Sequence, residues 1–194
     1  MSRREAVRLK LLSKMPKGGV VAEIGVWNGG FSEVILEQTQ PSKLHLIDPW
    51  LYQPDFRNTA FGRPRNETRM DEMYEEVAAK FTDEPRVALH RGLSQDVLAQ
   101  FPDDYFDWVY VDGNHNAPFV DRDVALAFRK VKPGGIISGD DYLWTTEDER
   151  PVRNAVTRFR EAFETGPDFR LFGQQWMLKL PDEKPEELDF EVEV

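Results

Sequence analysis

A doubly wound α/β fold, with a mainly parallel seven-stranded sheet finished by an antiparallel hairpin, is the architecture this sequence predicts. Three observations predict it. Short apolar runs rich in valine and isoleucine alternate with longer stretches of helical period, the pattern of a parallel sheet covered on both faces. One run passes into a glycine-rich turn and then a helix, at Val20–Ser32, and open α/β sheets bind ligands at such junctions. Near the end, the alternation gives way to two short runs joined through Gly173, a hairpin signal.

Taken in order, the strands are expected at Val20–Val26, Leu44–Asp48, Val87–His90, Trp108–Asp112 and Ile136–Gly139. Helices are expected at Phe31–Glu37 and Asp71–Phe81. A third follows Pro118, which suits a first turn, because Val120, Val124, Phe128 and Val131 recur at helical spacing. A fourth carries Val152, Val156, Phe159 and Phe163, with Pro151 near its start and Gly166-Pro167 stopping it. The hairpin strands are Phe169–Phe172 and Trp176–Leu180. The connection Leu51–Met70, with Pro54, Gly62 and Pro64, is long and irregular, and such loops in compact domains are usually functional or disordered.

A chain of 194 residues suits one domain with its own core, expected over residues 1–180. An acidic tail, 181–194, follows, in which seven acids from Asp182 to Glu193 face only Lys184. It reads as a solvated terminus. The net charge of −10 opposes the attraction to phosphate on which nucleic-acid binding rests, so nucleic acid is not expected as a partner. Without cysteine no disulfide, thiolate metal site or thiol nucleophile is available, which suits the cytoplasm. Arg3, Arg4, Arg8 and Lys10 flank too short an apolar stretch, Leu9 to Leu12, for a signal peptide. No run reaches the roughly 18 apolar residues of a membrane span, so no membrane partner is expected, and the oligomeric state is left open.

The junction reads E-x-G-x-x-x-G-G from Glu23 to Gly30. Gly25 permits a tight turn, and Gly29 and Gly30 let backbone pass close to a ligand. A dinucleotide site would instead have G-x-G-x-x-G with pyrophosphate on the helix N-terminus. Glu23 would repel pyrophosphate but suits a cationic ligand. A second acid, Asp48, ends the next strand about twenty residues on, where an acid can hold ribose hydroxyls. This motif resembles motif I of the class I S-adenosylmethionine-dependent methyltransferases. The resemblance implies that Glu23 accepts the α-amino group, that Asp48 holds the ribose, and that Arg91-Gly92-Leu93-Ser94 meets adenine. The cofactor contacts it implies are Glu23, Gly25, Asn28, Gly29, Gly30, Asp48, Ser94 and Asp112.

Further on, Phe106–His115 ends a buried strand in Asp112, with His115 three residues later, and Gly134–Tyr142 ends the next in Asp140 and Asp141. Parallel neighbours bring their carboxyl ends side by side. Three carboxylates in one cleft repel, and a hard cation such as Mg²⁺ would remove that cost. The combination D-G-x-H with G-G-x-x-x-x-D-D resembles the metal-dependent O-methyltransferases of the catechol and macrocin types over roughly residues 18–180. It implies metal ligands Asp112, Asp140 and Asp141, a general base at His115, and a small hydroxylated acceptor such as a sugar or natural product. The pair is Asp-Asp here, against Asp-Asn in the catechol type and Glu-Asp in the macrocin type, which leaves open which acid ligates. A metal-independent methyltransferase and a non-catalytic S-adenosylmethionine-binding protein are the alternatives; Glu23 and the glycine spacing oppose a nicotinamide oxidoreductase.

Other residues have plainer readings. His45 alternates along a strand and His90 ends one, so both read as structural. Trp27, Trp50 and Trp144 fit stacking on a ligand as well as a core. Arg57, Arg63, Arg65 and Arg69 on the irregular connection suggest a lid that meets an acidic group, or else a solvated loop.

Overall fold

In the computed structural model, which describes residues 1–163 and 166–185, the sheet comprises β1 (Val20–Ile24), β2 (Lys43–Asp48), β3 (Val87–Arg91), β4 (Phe106–Val111), β5 (Val131–Gly139), β6 (Asp168–Phe172) and β7 (Gln175–Lys179). Their order is β3-β2-β1-β4-β5-β7-β6. The pairs from β3 through β5 are all parallel. Only β7 runs the other way, pairing antiparallel with β5 on one side and β6 on the other. The order reverses between β1 and β4, which opens a crevice at their carboxyl ends.

Helices cover both faces. On one lie α1 (Arg3–Leu12), α2 (Gly30–Thr39) and α3 (Arg69–Lys80); on the other α4 (Ser94–Leu98), α5 (Phe119–Lys130) and α6 (Pro151–Glu161). Side chains alternate across a strand with period two, so Trp108 and Tyr110 of β4 join Leu11, Ile35 and Val77 in one core, while Val109 and Val111 join Val124, Val156 and Phe159 in the other. These are the apolar positions whose spacing predicts the elements.

The sheet and its four long predicted helices are present, with ends shifted by a few residues. Two helices were not expected. The start of the chain forms α1, with a capping box between Ser2 and Glu5 at its N-terminus and Leu11 and Leu12 buried at its C-terminal end. The other is the short α4, which begins at Ser94.

The irregular connection is folded on itself. Phe56 packs edge-on against Phe119 at 5.2 Å and near Phe61 at 6.2 Å, and Asn58 Nδ2 donates to Asn116 Oδ1 at 3.0 Å. Gly62 is required there, since a Cβ would stand 2.0 Å from the Phe56 carbonyl. The beginning of the expected tail is also held. Gly134 N donates to the Pro181 carbonyl, and Lys184 Nζ donates to the carbonyls of Phe128 and Val131 at 2.7 and 2.8 Å. The acids from Glu186 onward lie outside the described residues. Among the described residues no helix is long and apolar enough to cross a membrane.

Candidate active site

A cleft of about 770 Å³ opens at the carboxyl ends of β1, β2 and β4, and its lining includes Glu23, Asp48, Ser94, Asp112, His115 and Asp141. Its floor is set by backbone contact between strands. Asp112 N donates to the Ile24 carbonyl at 2.7 Å, and Gly25, at φ +85°, comes so close that a Cβ would lie 2.1 Å from the Asp112 carbonyl. Only glycine meets both demands. The other two motif glycines sit behind the cleft lining. Gly29, at φ +71°, turns toward Phe81, the residue that caps the end of α3, and neither it nor Gly30 lines the cleft. Asn28 lines it, while its Oδ1 accepts from Gly30 N at 3.1 Å.

Glu23 is 1% exposed and accepts a short hydrogen bond from the Ser32 hydroxyl. Burial pushes its carboxyl up to about 8, the Ser32 bond opposing. A cationic ligand would supply the missing charge. Asp48 is gripped by its own neighbourhood: Oδ2 accepts from the amides of Val26 and Trp27 at 2.9 and 3.0 Å, and Oδ1 from that of Trp50 at 2.7 Å. A carboxylate offers about four lone-pair sites, so one remains on Oδ1. Asp48 could thus accept one further hydrogen bond there from a bound ligand. Burial raises its pKa, those three bonds opposing.

The three acids after β4 and β5 separate into two groups. Asp140 is 1% exposed and saturated: Oδ2 accepts from Arg4 and Arg8 of α1, each at 2.7 Å, and Oδ1 from the Gln175 amide and Asp141 N. Burial opposes the charge, but the field of Arg8 and the bond from Arg4 hold its carboxyl below the usual range. It is not among the cleft-lining residues. Asp112 and Asp141 flank His115, whose Nε2 lies 3.5 Å from Asp112 Oδ1 and 3.1 Å from Asp141 Oδ2. Burial opposes protonation of this imidazole, yet the bonds to Asp112 and Asp141 push it up to about 9.

Metal-ligand chemistry fits only one of these groups. Asp112, His115 and Asp141 can each offer one donor atom, all within 4.8 Å of one another. Two carboxylates and an imidazole are donors of the kind that divalent metal ions take. The expected trio with Asp140 does not form, because guanidinium and amide donors already fill that carboxylate.

Arg8 also donates to Asp112 Oδ2 at 2.7 Å and lies 4.3 Å from the centre of the Phe31 ring. Sequence reasoning missed it, although Arg4 and Arg8 stand one helical turn apart and therefore share a face. Asp123 of α5 was missed as well. It is 3% exposed and accepts from the Ser94 hydroxyl; an acid among the apolar stripe Val120, Val124 and Ala127 was the available signal.

The tryptophans differ in role. Trp50 is core, 1% exposed, with Nε1 donating to the Trp27 carbonyl at 2.8 Å. Trp144 and Trp27 line the cleft, Trp144 with its ring 5.7 Å from that of His115. Trp27, Trp50 and Asp141 all adopt positive φ, and such backbone settings concentrate at functional sites. Of the arginines expected to form a lid, Arg63 lines the cleft, whereas Arg69 lies on α3 near Glu76.

Comparison with known proteins agrees with this geometry. A family profile described as a methyltransferase domain, Methyltransf_24, matches residues 22–142. No curated protein matches the chain. Among solved structures, a Corynebacterium glutamicum protein from a structural genomics programme is 14% identical with a TM-score of 0.63, covering 94% of this chain and 82% of its own. The O-methyltransferase TomG of Streptomyces achromogenes, involved in tomaymycin synthesis and solved with S-adenosylmethionine, is 18% identical with a TM-score of 0.58, covering 93% and 81%. Spermidine synthase of Thermotoga maritima is 16% identical with a TM-score of 0.56, and this chain spans 59% of its length. At such identities the structures attest the fold, which hosts more than one reaction. The family profile spans more than half of the chain and includes Glu23, Asp48, Asp112 and Asp141, and the chain accordingly belongs to the methyltransferase-domain family, as a class I S-adenosylmethionine-dependent methyltransferase.

Proposed function

We propose that this methyltransferase acts on an oxygen of a small hydroxylated metabolite. The observation that carries this reading is the single cleft that contains Glu23 and Asp48 together with His115 and its two flanking carboxylates. Glu23 accepts hydrogen bonds from the α-amino group of the methyl donor, and Asp48 accepts one ribose hydroxyl. The acceptor oxygen attacks the methyl carbon, the carbon–sulfur bond breaks with its electron pair left on sulfur, and the hydroxyl proton passes to His115. Positioning supplies a large share of the acceleration.

His115 can take that proton only when its own Nε2 is free. The two carboxylates hold it protonated at neutral pH, so something must relieve their field. Asp112 and Asp141 are the groups that would hold Mg²⁺, with His115 beside them. When bound, the ion supplies Lewis-acid stabilisation of the acceptor oxygen and cancels the field that protonates the imidazole. A metal-independent reading is favoured by a different observation: Arg8 already bridges Asp112 and Asp140 and supplies a fixed positive charge. The irregular connection, with Arg63, forms the wall over the acceptor in either case.

The test is methyl transfer from S-adenosylmethionine to a panel of hydroxylated metabolites, with and without chelator. His115→Ala is expected to lower kcat by about 10²–10⁴-fold while leaving S-adenosylhomocysteine binding intact. Undiminished turnover by His115→Ala removes the base, and turnover indifferent to chelator selects the metal-independent reading.

A further inference from the structure

We propose that Arg63 makes this methyltransferase selective for acceptors that carry a carboxylate as well as the hydroxyl, the guanidinium holding the carboxylate while His115 serves the hydroxyl. The inference rests on the proposed O-methylation and names the substrate class of that same site.

Three arginines line the cleft, Arg4, Arg8 and Arg63. Two are neutralised within the chain, since Arg4 donates to Asp140 and Arg8 to both Asp112 and Asp140, each at 2.7 Å. The exposed Arg63 side chain has no ion pair, hydrogen bond or ring contact among the described residues. Yet the same lining holds Asp112 and Asp141, in a chain of net charge −10. A cation in these surroundings has acids at hand and is kept apart from them. An anionic acceptor would be repelled by those carboxylates unless a cation received it, whereas a neutral acceptor would need none.

The backbone that carries Arg63 is braced. Asn66, 7% exposed, donates through its backbone N to the Arg63 carbonyl at 2.9 Å and through Nδ2 to the Ala60 carbonyl at 2.7 Å. Gly62, immediately before Arg63, admits no side chain against the Phe56 carbonyl. The other arginines of the connection, Arg57, Arg65 and Arg69, lie outside the cleft lining. The one arginine of the four that reaches the cleft is therefore set on a fixed stretch of chain.

That stretch abuts the segment carrying the base. Asn58 donates to Asn116, the residue after His115, and Phe56 packs against Phe119. Phe61 and Trp144 line the same cleft and offer apolar rings to a carbon skeleton. A hydroxy acid is then held at two points, hydroxyl at His115 and carboxylate at Arg63, which fixes its orientation as well as its affinity. The planar fork of a guanidinium matches a carboxylate with two parallel hydrogen bonds. One guanidinium balances one negative charge, so a phosphate dianion would leave its excess facing Asp112 and Asp141.

The experiment measures methyl transfer by the full chain from S-adenosylmethionine, with Mg²⁺ present, to matched acceptors. These are 3,4-dihydroxybenzoate against 3,4-dihydroxybenzamide, and glucuronate against glucose and glucose 6-phosphate. In at least one set the acid is expected to exceed its neutral partner in kcat/KM by about tenfold or more, as hydrogen bonds to charged groups allow. Arg63→Gln is expected to raise the KM for that acid by about tenfold with kcat within about threefold, and to remove most of the preference. Arg63→Lys keeps the charge but not the fork and is expected to fall between the two. Calorimetry with S-adenosylhomocysteine separates the acceptor from the methyl donor's own carboxylate. Its affinity for Arg63→Gln is expected within about twofold of wild type; a loss of about tenfold or more places the guanidinium on the methyl donor and overturns the proposal. Preference of the wild type for neutral or phosphorylated acceptors, or an acid preference that survives Arg63→Gln, overturns it too. The wild-type comparison needs no variant, so it stands even if Arg63→Gln fails to fold. Turnover of no acceptor, with S-adenosylhomocysteine bound, removes the proposed O-methylation and this inference with it, an outcome distinct from turnover without acid preference.

Discussion

Two adjacent acids at the end of β5 have opposite duties. Asp140 is an anchor: its carboxylate collects Arg4, Arg8, Gln175 and the next amide in a site closed to solvent. Removing one partner of a buried ionic group costs about 3–5 kcal/mol, so Asp140→Ala is expected to lower stability by that order in urea unfolding. Asp141, at φ +57°, faces the cleft. Asn tolerates this backbone region, and Asp141→Asn is expected to keep stability within about 1 kcal/mol of wild type while abolishing methyl transfer. A large stability loss in Asp141→Asn, or none in Asp140→Ala, would reverse the assignment. Sequence alone presents the two as an undifferentiated pair, because what separates them is which way a strained turn points each side chain. Glu23, Asp48, Asp112 and His115 were legible because each is tied to the end of a strand. Asp123 was not, since its significance depends on α4 coming to lie against α5.

At the scale of elements, the strands and the long helices could be read from periodicity, since burying one face of each fixes where the apolar residues fall. The start of the chain could not. Four basic residues lower its apparent amphipathicity, and its polar face looks solvent-directed until the acids it meets are known. In the structure α1 lines the cleft, with Arg8 joining Asp112 and Asp140. Deleting residues 1–9, which spares Leu11 and Leu12, leaves both carboxylates without their guanidinium partners and is expected to destabilise the fold by several kcal/mol, on the order of 3–5. Adding Asp140→Asn to the deletion removes one of the stranded charges and is expected to recover part of the loss in urea unfolding. Strictly additive effects would mean that α1 acts only through packing.

For the molecule as a whole, one separable part of the pH dependence comes from a histidine pair on β2 and β3. His45 Nδ1 lies 2.9 Å from His90 Nε2, and burial, with His90 adding to it, pulls the His45 pKa down to about 4 from an ordinary 6.5. Below 6.5 the unfolded chain takes up a proton that the folded chain refuses until about 4. The contribution of this pair is therefore intact at neutral pH and declines across that window, by about 2 kcal/mol at pH 5, while the raised carboxyl of Glu23 acts in the opposite direction. His45→Phe should flatten this part of the profile in urea midpoints measured at pH 7 and pH 5, and an unaltered slope would point to other groups. The sheet order also has a temporal side. Because β7 is the final strand to be synthesised yet lies inside the sheet, the exposed flank of β5 stays bare, and β6 has nothing to pair with, until the last rung of the ladder leaves the ribosome. Nascent chains halted before that point display an open strand edge of the kind that recruits neighbouring chains, so the span between emergence of β5 and arrival of β7 is when this protein most needs a chaperone.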